Sequence, residues 1–198
     1  MNGPTDRRAF FRRGVERLGK GLTKEAMRRA EQRASRWIRP PFAAPELEFL
    51  VACTRCAACI EACPHDVIFP LPARCGATVV GTPALDLNHR GCHLCPDWPC
   101  VAACEPAALC RPPEEPEALP RLASVSLESR YCLPYQGPEC GACAGSCPLP
   151  DTLRWEGTRP SIDAASCVGC ALCREACIAD PRAFSVAALR DQPAPAED

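Results

Sequence analysis

The placement of cysteine constrains this chain more than any other feature. Eighteen of its 198 residues are cysteine, and sixteen of them fall into four groups of four. Cys53, Cys56, Cys59 and Cys63 are separated by two, two and three residues, and Pro64 follows at once. Cys167, Cys170, Cys173 and Cys177 repeat those intervals without the trailing proline. Cys92, Cys95, Cys100 and Cys104 carry two extra residues between their second and third members, whereas Cys132, Cys140, Cys143 and Cys147 have a longer first interval and end on Pro148. With 23 prolines and 12 glycines as well, the chain is suited to turns and short elements rather than long regular ones.

Residues 53–64 reproduce the run C-x2-C-x2-C-x3-C-P of bacterial iron–sulfur proteins without departure. A [4Fe–4S] cubane needs four thiolates at the corners of a tetrahedron around a bulky inorganic core. Two-residue gaps let one turning loop supply three corners while its N–H groups point at the sulfides. The cysteine after the three-residue gap already belongs to the following helix, and in two-cluster ferredoxins it ligates the other cluster. This rule predicts four sets that exchange their last members. Cys53, Cys56 and Cys59 pair with Cys104, and Cys92, Cys95 and Cys100 with Cys63. Cys132, Cys140 and Cys143 pair with Cys177, and Cys167, Cys170 and Cys173 with Cys147. Disulfide scaffolds are cysteine-dense in short secreted chains but rarely repeat this triple hook. Structural zinc takes paired C-x2-C hooks, commonly with histidine, which leaves C-x3-C-P unexplained. The expected cofactors are four [4Fe–4S] clusters, iron being the metal on those sixteen cysteines.

Cys75 and Cys110 fall outside the sets and read as free thiols. His93, inside the second loop, and His65, after Cys63-Pro64, are expected to shape the loops or tune potentials rather than ligate iron. Tyr131, Tyr135, Trp98 and Phe184 are expected to shield clusters from water. The chain has no dinucleotide fingerprint, phosphate loop or nucleophile elbow, and sites with four thiolates leave no open iron for a substrate. The sequence points to a carrier with no catalytic residue, not to an enzyme.

The formal net charge of −1 hides an asymmetry: residues 1–39 carry twelve Lys+Arg against four Asp+Glu, and the remainder eleven against twenty. Bound clusters add further negative charge to the acidic body. Arg7-Arg8 in Asp6–Arg13 resembles a twin-arginine export box, but the following residues are charged instead of apolar, so the segment is expected to be retained and the protein cytoplasmic. A periplasmic protein is the alternative if that box works. Phe11, Val15, Leu18, Leu22, Ala26, Ala30, Ala34 and Trp37 recur at helical spacing, with a better helix expected over Lys24–Trp37 before Pro40-Pro41. Residues 7–38 are read as docking on an acidic partner or packing on the chain's own body, with peripheral membrane contact as the weaker option. No nucleic-acid reading motif accompanies the basic residues. No run of apolar residues is long enough to predict a membrane-spanning helix, and thiols that must stay reduced suit the cytosol.

The predicted fold class is α+β and loop-rich: duplicated two-[4Fe–4S] bacterial ferredoxin-like domains behind an N-terminal basic helix. Residues 1–45 form the basic segment, 46–110 the first dicluster domain, 111–123 a Pro/Glu-rich linker, 124–190 the second dicluster domain and 191–198 a tail. Within each half a cysteine loop should lead into a short helix around its last cysteine. Strands are expected at Val67–Phe69 and Ala183–Val186, with a hairpin around Ala77–Val80. Such small domains have little apolar area, so the apoprotein should be largely unfolded.

Ile38-Arg39-Pro40-Pro41 before Cys53-Thr-Arg-Cys56, and the stretch Cys132-Leu-Pro-Tyr-Gln-Gly-Pro-Glu-Cys140, resemble the NapF branch of the ferredoxin-type accessory proteins of the periplasmic nitrate reductase system. Gly81-Thr82-Pro83, the run Cys92–Cys104 and Cys177-Ile-Ala-Asp-Pro-Arg-Ala-Phe resemble the NapG/MauM branch, whose members are usually exported through a twin-arginine signal. The resemblance covers residues 5–190. It implies four [4Fe–4S] clusters on the matching cysteines. It also implies electron supply to a redox partner, a molybdoenzyme subunit or its precursor, or maturation of that enzyme before export. A cluster-based redox sensor is the remaining alternative.

Overall fold

The computed structural model describes residues 37–113 and 119–189. The twin-arginine pair, the expected helix up to residue 36, the middle of the Pro/Glu linker and the C-terminal tail lie outside them. Pro40 and Pro41 fix φ and remove two backbone donors, so residues 37–45 run as a strap instead of continuing a helix. Ile38 bridges Leu85 and Ala43 bridges Leu109, while the Ala44 N–H donates to the Ala108 carbonyl at 3.0 Å. The strap enters α1 (Glu46–Ala52), whose first turn is acidic, the sign favoured at a helix N-terminus. Phe49 on α1 is fully buried, and its carbonyl accepts from the Cys53 N–H at 2.8 Å. The helix therefore hands the chain straight to the first cysteine loop.

Arg39 locks the strap in place. Its guanidinium donates to both Glu46 carboxylate oxygens at 3.0 and 2.6 Å, to Thr82 Oγ1 at 3.0 Å and to the Pro83 carbonyl at 2.7 Å. It also lies 4.6 Å from the Phe49 ring centroid. The pair is almost fully buried, at 9% and 5% side-chain exposure, a burial that charged groups tolerate only when every polar atom finds a partner.

The remaining helices are single turns: α2 (Ala58–Glu61), α3 (Pro99–Ala102), α4 (Leu133–Gln136) and α5 (Leu172–Glu175). Three two-stranded antiparallel sheets accompany them. β1 (Ile68–Pro70) pairs with β2 (Pro83–Leu85), placing Ile68 opposite Leu85. The predicted strand at 67–69 is thus present, shifted by one residue. The hairpin predicted around Ala77–Val80 is present: those residues are turn, and the pairing runs between the flanking strands. Left-handed Gly76 and Gly81, at φ 111 and 76, bracket the tip and prevent extended structure there.

β3 (Ala123–Leu127) pairs with β6 (Phe184–Ala188), the second predicted strand, with Leu127 opposite Phe184. β4 (Leu153–Glu156) and β5 (Arg159–Ile162) form a hairpin closed by Gly157-Thr158. That hairpin was not anticipated, although alternation around a two-residue glycine turn is its standard signal. Two-stranded sheets are marginal in isolation. Here one buried cluster unites them, drawing Phe49, Ile68, Leu85 and Leu109 from the first cysteine-bearing stretch and Val125, Ala171 and Phe184 from the second. The result is a small α+β, loop-rich body in which cysteines are themselves core residues: Cys59, Cys92, Cys100 and Cys143 belong to that cluster.

Candidate metal centres

Three cysteine loops share one backbone device. Arg55 and Ala57 have φ 60 and 64, Leu94 and Trp98 have φ 50 and 45, and Gly169 and Ala171 have φ 76 and 63. Each left-handed residue other than glycine costs about 1–2 kcal/mol, and two so closely spaced wrap the chain around a centre. The second of each pair caps a single-turn helix: Ala57 precedes α2, Trp98 α3 and Ala171 α5. Those turns carry Cys59, Cys100 and Cys173 and stop just short of Cys63, Cys104 and Cys177.

The third loop departs from this pattern. α4 fills its long first interval, and no helix follows Cys143, where one was predicted. Gly145 is left-handed at φ 73, and Pro148 and Pro150 remove donors that a helix would need.

The loops gather their thiols around apolar pockets. Cys53, Cys56, Cys59 and Cys104 line one with Phe49, Pro83 and Leu109. Cys63, Cys92, Cys95 and Cys100 line a second with Val67, Ile68 and Trp98. Cys132, Cys140, Cys143 and Cys177 line a third with Trp155 and Phe184. Cys147 lies close enough to Cys167, Cys170 and Cys173 to act on the ionisation of each. Among the described residues no three His, Cys, Asp or Glu side chains converge on a single ion position; the thiols ring a space instead. All are free of disulfides. Cys75 and Cys110 stand outside these cavities, half-buried and exposed respectively.

Burial sets the protonation state. Desolvation, reinforced by neighbouring thiols, pushes Cys59 up to about 11, Cys92 and Cys143 to about 11 and Cys100 to about 12. Cys170 rises to about 11 and Cys173 to about 12 for the same reason. Cys56 is the exception: exposed, and lowered by hydrogen bonding to Ala58 N–H and the Thr54 side chain. Most of these thiols are therefore neutral until a cationic guest displaces their protons. Backbone donors already point at two of the sulfurs. The Leu109 N–H reaches Cys104 Sγ and the Ala183 N–H reaches Cys177 Sγ, each at 3.4 Å.

The second and fourth loops abut. The Cys92 N–H donates to the Cys170 carbonyl at 2.8 Å, and the Gly91 N–H to Glu175 Oε2 at 2.8 Å. A Cβ on Gly91 would meet the Leu172 Cα at 2.9 Å, so only glycine allows this approach. Beside the second cavity His65 and His93 stack with centroids 3.6 Å apart. Desolvation and then His65 lower His93 below its ordinary value, although Glu175 sits 4.0 Å away. Of the aromatics expected to shield, Trp98 lines the second cavity and Phe184 the third. Tyr135 instead donates to the Pro160 carbonyl at 3.0 Å, and Tyr131 lies under Arg130. The sequence reading missed Trp155, whose Nε1 is buried without a partner.

Curated relatives share this arrangement's sequence. The ferredoxin-type protein NapG of Haemophilus influenzae is 33% identical over 162 residues, covering 75% of this chain and 58% of that protein. The methylamine utilization ferredoxin-type protein MauM of Methylophilus methylotrophus is 32% identical, covering 93% and 85%. This chain belongs to the NapG/MauM/NapF ferredoxin-type family. NapF of Escherichia coli K12 is 32% identical over 74% of the chain, so both branches seen in the motifs are represented. Membership and eighteen cysteines make this an iron–sulfur protein of the electron-transport class. No protein-family profile matches the chain, and no solved structure does.

Proposed function

We propose that the chain is an electron-transfer polyferredoxin that carries four [4Fe–4S] clusters and serves a molybdoenzyme such as periplasmic nitrate reductase. Cys53, Cys56, Cys59 and Cys104 would hold the first cluster and Cys63, Cys92, Cys95 and Cys100 the second. Cys132, Cys140, Cys143 and Cys177 would hold the third, and Cys147, Cys167, Cys170 and Cys173 the fourth. The observation that carries this is the grouping of thiols, four to a pocket, in three apolar pockets. The donor set fits: thiols without disulfides, in apolar walls, with N–H groups aimed at sulfur. When bound, such clusters supply reversible one-electron chemistry. The protein's part is to exclude water with Phe49, Trp98 and Phe184, to hold the thiolates fixed, and to leave Cys56 at the surface where a partner can approach.

This reading takes the halves as a duplicated pair of two-cluster ferredoxin domains, acting in the cytoplasm. Anaerobic purification followed by iron and acid-labile sulfide analysis should give about sixteen of each per chain, and potentiometric EPR should resolve reversible signals. Zinc or disulfides in place of iron and sulfide would overturn it. Oxidation of the reduced protein by the mature molybdoenzyme is expected. Binding only to the enzyme's precursor would instead favour a maturation factor.

A further inference from the structure

We propose that Trp155 donates its indole N–H to sulfur in the site formed by Cys132, Cys140, Cys143 and Cys177, and thereby raises that site's reduction potential. The proposal rests on the cluster reading above and adds a tuning residue to it. The indole Nε1 of Trp155 has no hydrogen-bond partner although the atom is buried, the sole such side-chain atom among the described residues. A buried donor left unpaired is destabilising, and a tryptophan normally finds a partner when buried. Trp155 also borders an outer cavity with Glu139 and Thr158, but its unpartnered nitrogen bonds to neither, and in the thiol-lined cavity the only side-chain acceptor is sulfur. Besides the four cysteines its walls are Leu133, Pro134, Ala142, Pro160, Ile178, Ala179, Ala183 and Phe184, all hydrocarbon in their side chains.

The placement is deliberate in the chain's architecture. Trp155 stands on β4 opposite Pro160 on β5, and the Pro160 carbonyl is tied to Tyr135 Oη on the loop bearing Cys132 and Cys140. The hairpin is thus anchored to the site it covers. The other tryptophan beside a cysteine set, Trp98, leaves no orphaned nitrogen. Hydrogen bonds to cluster sulfurs stabilise the more negative, reduced state and so raise the potential.

The test uses the holoprotein. Potentiometric EPR of Trp155→Phe, which keeps the apolar ring and loses the donor, should show one of four potentials moved to a more negative value, with the other three and the iron content unchanged. Four unchanged potentials at full iron content would overturn the proposal. Should the variant fail to load, wild-type protein labelled with ¹⁵N at the tryptophan indole decides the matter by pulsed EPR of the reduced form. A nitrogen coupling that persists in Trp98→Phe supports the bond to Trp155, and its absence overturns it. Wild-type protein without iron and sulfide would overturn the cluster reading itself, a result separate from either of these.

Discussion

The first and third cysteine loops solve one problem in different ways. Loop 53–59 gathers its own three thiols locally: Arg55 and Ala57 turn left-handed, α2 follows, and the three sulfurs share one pocket. Loop 132–143 has no such pair, and its enclosure depends on a hairpin that arrives later in the chain, with Trp155 as its wall. A two-residue first interval lets local backbone geometry build a site, whereas a stretched first interval transfers the work to tertiary structure. The halves differ likewise. The first is fastened by the buried Arg39–Glu46 pair on the strap, the second by the pairing of β3 with β6.

The comparison can be broken at several points. Cys104→Ala should strip the cluster of the first loop and spare the set of Cys92, Cys95 and Cys100, removing about a quarter of the iron. Cys177→Ala should do the same to the third loop. Iron analysis with EPR reads both, and loss from a variant's own neighbours instead would refute the exchange. Next in size, Glu46→Ala leaves a buried guanidinium unpaired and should cost about 3–5 kcal/mol, seen as a lower denaturant midpoint of the holoprotein. If the first half tolerates this change, the strap is not its fastener.

Gly169 and Arg55 occupy matching places before the second cysteine of their loops, yet a Cβ on Gly169 would lie 2.0 Å from the Ala123 carbonyl oxygen. Gly169→Ala should therefore cost about 3 kcal/mol by overpacking. Arg55→Gly should change little, because relief of a left-handed φ offsets lost hydrogen bonds to the Val80 and Thr78 carbonyls. Equal effects on thermal unfolding would show that the two loops are not distinguished by the strand behind them.

The smallest effect concerns Asp163, at the entrance to the fourth loop. The Ala165 N–H at 3.0 Å, then Ser166 and Arg154, hold its carboxyl below the ordinary 3.8. A depressed folded value contributes stability above pH 3.8 that is lost as pH falls through the folded pKa. Asp163→Asn should be slightly less stable near neutrality, and the gap should close in acid. A gap that persists at low pH would assign the effect to packing.

Much of this was legible before any coordinates. Sixteen cysteines at fixed intervals named the candidate ligands, and β-branched or aromatic runs after two of the groups marked β1 and β6. What the spacing could not reveal was contact at a distance. Arg39 reads as one more basic residue of an arginine-rich segment until Thr82, Pro83 and Glu46 are seen around it. Trp155 is separated in sequence from the cysteines whose cavity it lines, and Gly91 carries no motif. The hairpin around Ala77–Val80 has a local cause: two glycines with positive φ bracket its turn.

The bond between Gly91 and Glu175 spans 84 residues. During synthesis the second cysteine loop leaves the ribosome long before its partner exists. Until then the Cys92 and Gly91 N–H groups are without their Cys170 and Glu175 acceptors. A truncated product that stops before residue 170 would keep every wall of the first two cavities and lose the two acceptors that brace the second loop from outside.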